Sequence, residues 1–81
     1  MHLEIITPDK KVFEGEVSGA KFPGIGGSFE VLNSHAPIIS TLENGPVRVT
    51  TAASYQYFNI DGGVVEVLNN KIIVLAEAVT D

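Results

Sequence analysis

The chain has 81 residues, a formal charge of −5, 44% hydrophobic side chains and no cysteine. A chain this short buries only roughly 60% of its unfolded surface, enough for one core, and its composition is too apolar for a disordered segment. Disulfides, thiolate chemistry and zinc knuckles are excluded, and the five scattered cations, Lys10, Lys11, Lys21, Arg48 and Lys71, form no patch for nucleic acid or anionic lipid.

The chain opens on "MHLEIITPDKK", which lacks the basic and long apolar regions of a secretion signal. No window reaches the roughly 18 apolar residues of a membrane span, so the expectation is a soluble, cytoplasmic product. From there Gly and Pro punctuate short runs of Val, Ile, Phe and Tyr, the pattern of an all-β domain with tight turns. Strands are predicted at residues 2 to 7, 11 to 14 and 16 to 22, with Gly15 as a turn between Glu14 and Glu16. Further strands are predicted at 28 to 32, 37 to 41, 46 to 51, 55 to 60, 63 to 68 and 71 to 77. No helix of ordinary length fits, and there is no repeat or linker.

The clearest hairpin is "VVEVLNNKIIVLA", where Asn69-Asn70 suits the left-handed dihedrals of a two-residue turn. That turn pairs Val67 with Ile72, Val65 with Val74 and Gly63 with Ala76 on a core-facing side. The other side mixes Val64, Glu66, Lys71, Ile73 and Leu75, and is expected to lie under a second sheet or a neighbouring subunit. Together these features predict an antiparallel β-sandwich or flattened barrel.

Three stretches invite chemistry. "PGIGG" resembles a phosphate loop, but no helix pattern or Gly-Lys-Ser/Thr ending follows it, so turn glycines are the better account. Ser34 and His35, with Asp61 or Asp81 as orienting acid, fail as a triad because neighbouring residues of an extended chain diverge. His2 and His35 offer no metal-ligand spacing, and Glu14 with Glu16 reads as exposed acids. The residues therefore predict no catalytic group, no cofactor and no metal. An exposed Phe29 and His35 beside the glycines form a plausible contact surface. A rival reading takes Lys71, near a hairpin tip, as the swinging arm of a lipoyl or biotinyl carrier. Its flanks, Asn70 and Ile72, lack the preceding Asp or paired Met of such carriers.

The segments "LEIITPDKKVFEGEV", "GGSFEVLNSHAPIIS", "GPVRV" and "FNIDGGVVEVLNNKIIVLAEAV", in that order, resemble the N-terminal β-sandwich domain of the epsilon subunit of F-type ATP synthases. The resemblance covers residues 1 to 81 and implies a flattened sandwich of about ten strands. It implies a non-catalytic rotor subunit that links the gamma subunit to the membrane c-ring, supports coupling of ion flow to ATP synthesis, and lies peripherally on the cytoplasmic side of a bacterial membrane. On the same basis Gly26, Gly27, Ser28, Phe29, Glu30 and His35 form a loop facing the c-ring, and Ile38, Ile39 and Leu42 meet gamma. The isolated chain is expected to be a monomer, with no nucleic acid partner and no direct lipid contact. Many relatives continue into two C-terminal helices that bind ATP and inhibit hydrolysis. The sequence stops before them, which leads to the expectation of a subunit that couples without braking.

Overall fold

The structure, a computed structural model, describes residues 1 to 80. Ten strands follow in chain order: β1 (His2–Ile6), β2 (Lys11–Glu16), β3 (Gly19–Gly24), β4 (Gly27–Leu32), β5 (Ile38–Leu42), β6 (Gly45–Thr50), β7 (Tyr55–Ile60), β8 (Gly63–Leu68), β9 (Lys71–Ala76) and β10 (Val79–Thr80). No helix occurs among the described residues. The all-β reading therefore holds.

Period-two alternation builds the core, since successive strand side chains point to opposite faces. Leu3 and Ile5 of β1, Val47 and Val49 of β6, Val65 and Val67 of β8, and Ile72 and Val74 of β9 are buried, joined by Phe22, Ala20 and Val31. Each fully buried aliphatic or Phe side chain contributes about 1.5 to 3 kcal/mol. No charged or polar residue is buried among those described.

The hydrogen-bonded path runs β10-β7-β6-β3-β5-β8-β9-β1-β2, with β4 on the free side of β3. All pairs are antiparallel except β1 with β9. The single bridge Gly24↔Leu42 joins β3 to β5 and divides the path into two halves. Phe13 of β2 meets Phe58 of β7 edge-on at 5.5 Å between ring centroids, which closes the far side of the flattened sandwich. The long axes measure 26 Å and the thickness 19 Å.

The β8–β9 register is the one predicted, with Val67↔Ile72, Val65↔Val74 and Gly63↔Ala76. Asn69 and Asn70 take φ of 52° and 60°, the left-handed pair that matches strand twist. A side chain at Gly63, with φ of 149°, would strike the Leu75 carbonyl, so glycine is required there.

Three expectations are corrected. Gly15 lies inside β2, so Glu14 and Glu16 share one strand face with no turn between them. The actual corner is Val17-Ser18: the Val17 N–H donates to the Met1 carbonyl at 2.8 Å and the Ser18 N–H to the Thr50 carbonyl at 2.9 Å, carrying the chain between halves. β10 follows the last predicted strand, and its two residues are too short to display alternation. The second side of the β8–β9 hairpin is open instead of covered by a sheet, because the other half of the path packs only on the inner face. Val64, Leu68 and Leu75 are exposed there.

The register also defines two ends of the sandwich. Turns at residues 7–10, 25–26, 43–44, 61–62 and 77–78 gather at one end, and those at 33–37, 51–54 and 69–70 at the other.

Candidate interaction surfaces

The segment from Pro23 to Pro37 is a hairpin arm and not one loop. Residues 27 to 32 are β4, fully paired with β3 from Gly19↔Leu32 to Gly24↔Gly27. At roughly 3.3 Å per residue, this strand sets Gly26 and Gly27 about 17 Å from the Asn33-Ser34 turn. Gly26 and Gly27 thus stand at one end of the sandwich and His35 at the other. A Cβ on either glycine would meet nothing within 4 Å, and the neighbouring Ile25 is 60% exposed. The tip projects into solvent.

Phe29 is not the exposed group expected. It points inward and lies 5.6 Å from the Phe22 ring, and a side chain at Gly24 would collide with it. Ser28 is free on the outer side, while Glu30 accepts a 2.9 Å bond from Arg48 Nη2.

Ser34 and His35 build a turn. The Ser34 N–H donates to Asn70 Oδ1 at 2.9 Å, with Ser34 at φ 63°. The His35 N–H donates to the Leu32 carbonyl at 3.2 Å, and its ring Nδ1 to the Ala36 carbonyl at 2.7 Å. Asp61 lies in a turn at the opposite end, and Asp81 lies outside the described residues. The geometry therefore brings no orienting acid to this pair among the described residues.

The structure assembles a cluster that sequence reasoning missed. His2 and Glu4 of β1 and Glu14 and Glu16 of β2 share an outer face, because β1 and β2 pair His2↔Glu16 and Glu4↔Glu14. His2 Nδ1 is 3.1 Å from Glu16 and Nε2 is 3.2 Å from Glu14. Lys11 Nζ sits 2.9 Å from Glu14 and 3.2 Å from Glu4, and Lys71 Nζ is 3.6 Å from Glu4.

Hydrogen bonding to Lys11 holds Glu4 and Glu14 below their ordinary carboxyl range, and hydrogen bonding to His2 does the same for Glu16. Lys11 is raised in turn, chiefly by its bond to Glu14. His2, Glu4 and Glu14 lie close enough to chelate. The same carboxylates are already paired, Oε1 of each with the Lys11 ammonium and Oε2 of each within 3.5 Å of His2 Nε2. The cluster is an ion-pair network, and it also engages Lys71, which a swinging arm would keep free. Alternation in "HLE" and "EGE" was the available signal, but only the β1–β2 pairing turns it into a cluster.

Beside this network, the same outer face is apolar. One register row reads Thr41, Val64, Leu75 and Ile6 across β5, β8, β9 and β1, and a groove beside it is lined by Pro8, Asn44 and Gly62. Ile39, in the next row, is 75% exposed, whereas Leu42 is 2% exposed and belongs to the core. Ile38 packs partly on the core. Of the three residues expected beside a partner, only Ile39 presents its full side chain.

The opposite outer face has a different chemistry. Tyr57, Arg48, Lys21 and Glu30 form one register row across β7, β6, β3 and β4, and Tyr55, Thr50, Gly19 and Leu32 form the next. The Arg48 guanidinium lies over the Tyr55 ring at 4.7 Å, a cation–π contact.

Comparison with known proteins places this geometry. The family model described as "ATP synthase, Delta/Epsilon chain, beta-sandwich domain" matches residues 1–81. The ATP synthase epsilon chain of Salinibacter ruber is 43% identical across 95% of this chain and 58% of its own length. That of Chlorobium limicola is 42% identical across 96% of this chain and 90% of its own. The chain therefore spans little more than half of one relative and most of the other.

Among solved structures, the Euglena gracilis mitochondrial ATP synthase (OSCP/F1/c-ring) contains a chain that superposes with a TM-score of 0.89. That chain is 18% identical, and the match covers 96% of this chain and 51% of that one. A chain of the Tetrahymena thermophila mitochondrial ATP synthase central stalk and c-ring gives a TM-score of 0.84 at 20% identity, covering 99% and 65%. These two likenesses establish the fold. With the family match across all 81 residues and the identity to the bacterial relatives, the chain belongs to the β-sandwich domain family of ATP synthase delta/epsilon chains.

Proposed function

We propose that this chain is a non-catalytic central-stalk subunit of a rotary F-type ATP synthase, holding the gamma subunit to the c-ring so that ion flow and ATP synthesis stay coupled. The observation that carries the reading is the family match over residues 1–81, with epsilon chains as its relatives. The residues fit a mechanical role: Lys11 pairs with Glu14 and Arg48 with Glu30, and the large apolar side chains of Ile39, Val64 and Leu75 lie on the surface.

In this reading gamma docks on the apolar face, with Ile39, Val64 and Leu75 as anchors and Ile38 beside them. Leu42 supports that face from within the core. The projecting tip of Gly26, Gly27 and Ser28, led by Ile25, meets the c-ring. The same end carries Asp9, Glu43, Asp61 and Glu77 against Lys10 alone, a charge that anionic lipid repels, so attachment to the membrane sector runs through protein. No described helix is long and apolar enough to cross a membrane, and the chain sits at the membrane periphery, on its cytoplasmic side, through the complex. Phe29 and Glu30 shape the hairpin that carries the tip, and His35 anchors the opposite turn.

The test is reconstitution of the complete enzyme with and without this chain, measuring ATP hydrolysis and ion pumping together. Ile39→Asp is expected to weaken binding to purified gamma by about tenfold or more, the loss typical of an apolar anchor. Hydrolysis and pumping that stay coupled without the chain would overturn the proposal.

A further inference from the structure

We propose that the outer face of β3, β4, β6 and β7 is a second protein-docking surface, which receives an acidic segment of a partner. The inference does not rest on the rotor reading, and it concerns the face opposite Ile39.

The register row Tyr57–Arg48–Lys21–Glu30 places two cations directly opposite each other on neighbouring strands. Like charges in that relation destabilise a sheet. The row holds one carboxylate, Glu30, which accepts a bond from Arg48 at 2.9 Å. The row therefore carries two positive charges against one negative, on a protein whose formal charge is −5.

This reversed local charge is framed by Tyr55 and Tyr57, 56% and 62% exposed, and by Leu32, 55% exposed. Tyr and Arg are the residues that dominate binding hot spots, and Tyr loses little rotamer entropy on contact. Arg48, stacked on Tyr55 and tied to Glu30, is already held in place.

Charge complementarity identifies the occupant. A carboxylate set over Lys21 and Arg48 relieves their repulsion, while apolar neighbours of that carboxylate cover the tyrosine rings. Nucleic acid is the poorer fit, because two cations within an acidic chain release few counterions. The surface matches a peptide with one or two carboxylates flanked by apolar residues.

The experiment titrates the full chain, followed by backbone amide NMR, with three probes: a short peptide of Glu, Leu and Gly, the same peptide with Lys for Glu, and oligothymidine. The acidic peptide is expected to shift amides at residues 19–21, 30–32, 48–50 and 55–57, with binding that weakens as salt rises. Lys21→Glu, at an exposed position that leaves the fold intact, is expected to weaken that binding about tenfold. Tyr57→Ala provides a second, uncharged variant with the same expected direction. Shifts located on the Ile39 face, an equal response to the basic peptide, stronger binding of oligothymidine, or no response would each overturn the proposal.

Discussion

Across β1, β2, β5, β8 and β9, the outer face sets exposed Ile39, Val64 and Leu75 beside carboxylates already clamped by Lys11, Lys71 and His2. Across β3, β4, β6 and β7 it sets tyrosines beside cations that outnumber their carboxylate. Both faces are the odd half of an alternation whose even half is one shared core. Strand geometry separates the two tasks, since outer positions change without moving inner ones. Recognition can thus differ between the faces while stability is held in common.

The largest expected effect comes from a residue that serves both faces. Phe22 is fully buried, and Phe22→Ala is expected to cost about 3 to 5 kcal/mol. For a domain whose whole stability is roughly 5 to 15 kcal/mol, thermal unfolding should fall by tens of degrees or the fold should be lost. A loss restricted to binding at one face, with melting unchanged, would break the idea of a common core.

Phe29→Asp sharpens the comparison at a smaller magnitude. An exposed Phe29 would make this a binding variant only. Its ring instead packs on Phe22 and over Gly24, so the change is expected to cost about 2 to 3 kcal/mol, between a surface substitution and full core truncation. Urea unfolding of the isolated chain measures it directly. An unchanged midpoint would return Phe29 to the contact surface.

How much was legible follows the same division. The β8–β9 hairpin was readable to the residue because Asn69-Asn70 fixes the turn and β-branched runs fix the face, all within one short stretch. Gly15 misled because a glycine between two acids signals a turn locally, whereas Phe13 and the pairing with β1 hold it in a strand. The segment from Gly26 to His35 contains a strand that its alternation disclosed at residues 28 to 32. Describing the whole as one contact loop overlooked the length of that strand. His2 with Glu14 and Glu16 showed only as alternation within each strand, and Lys21 with Arg48 not at all. Each needs the register between strands distant in sequence, which local pattern does not specify.

The smallest expected effect lies in acid and tests the clamped half of the Ile39 face. Glu4, Glu14 and Glu16 are held below their ordinary carboxyl value of 4.5 by Lys11 and His2. A carboxyl depressed in the folded state binds fewer protons there than in the unfolded chain, so its contribution is complete above that ordinary value and is lost as pH falls through the lower folded one. Stability should therefore decline on acidification below about pH 4.5. Lys11, raised by the same carboxylates, gives the opposite limb, with stability lost as pH rises beyond the ordinary lysine range. Glu4→Gln removes the carboxylate that both lysines reach, and is expected to lower stability slightly at neutral pH and to flatten the acid limb. Tyr57→Phe, on the opposite face, is expected to leave that limb unchanged. Urea midpoints measured from pH 3 to pH 7 separate the two variants, and equal acid limbs for Glu4→Gln and the parent chain would remove the network from the account of stability, leaving the apolar half of that face as its only functional part.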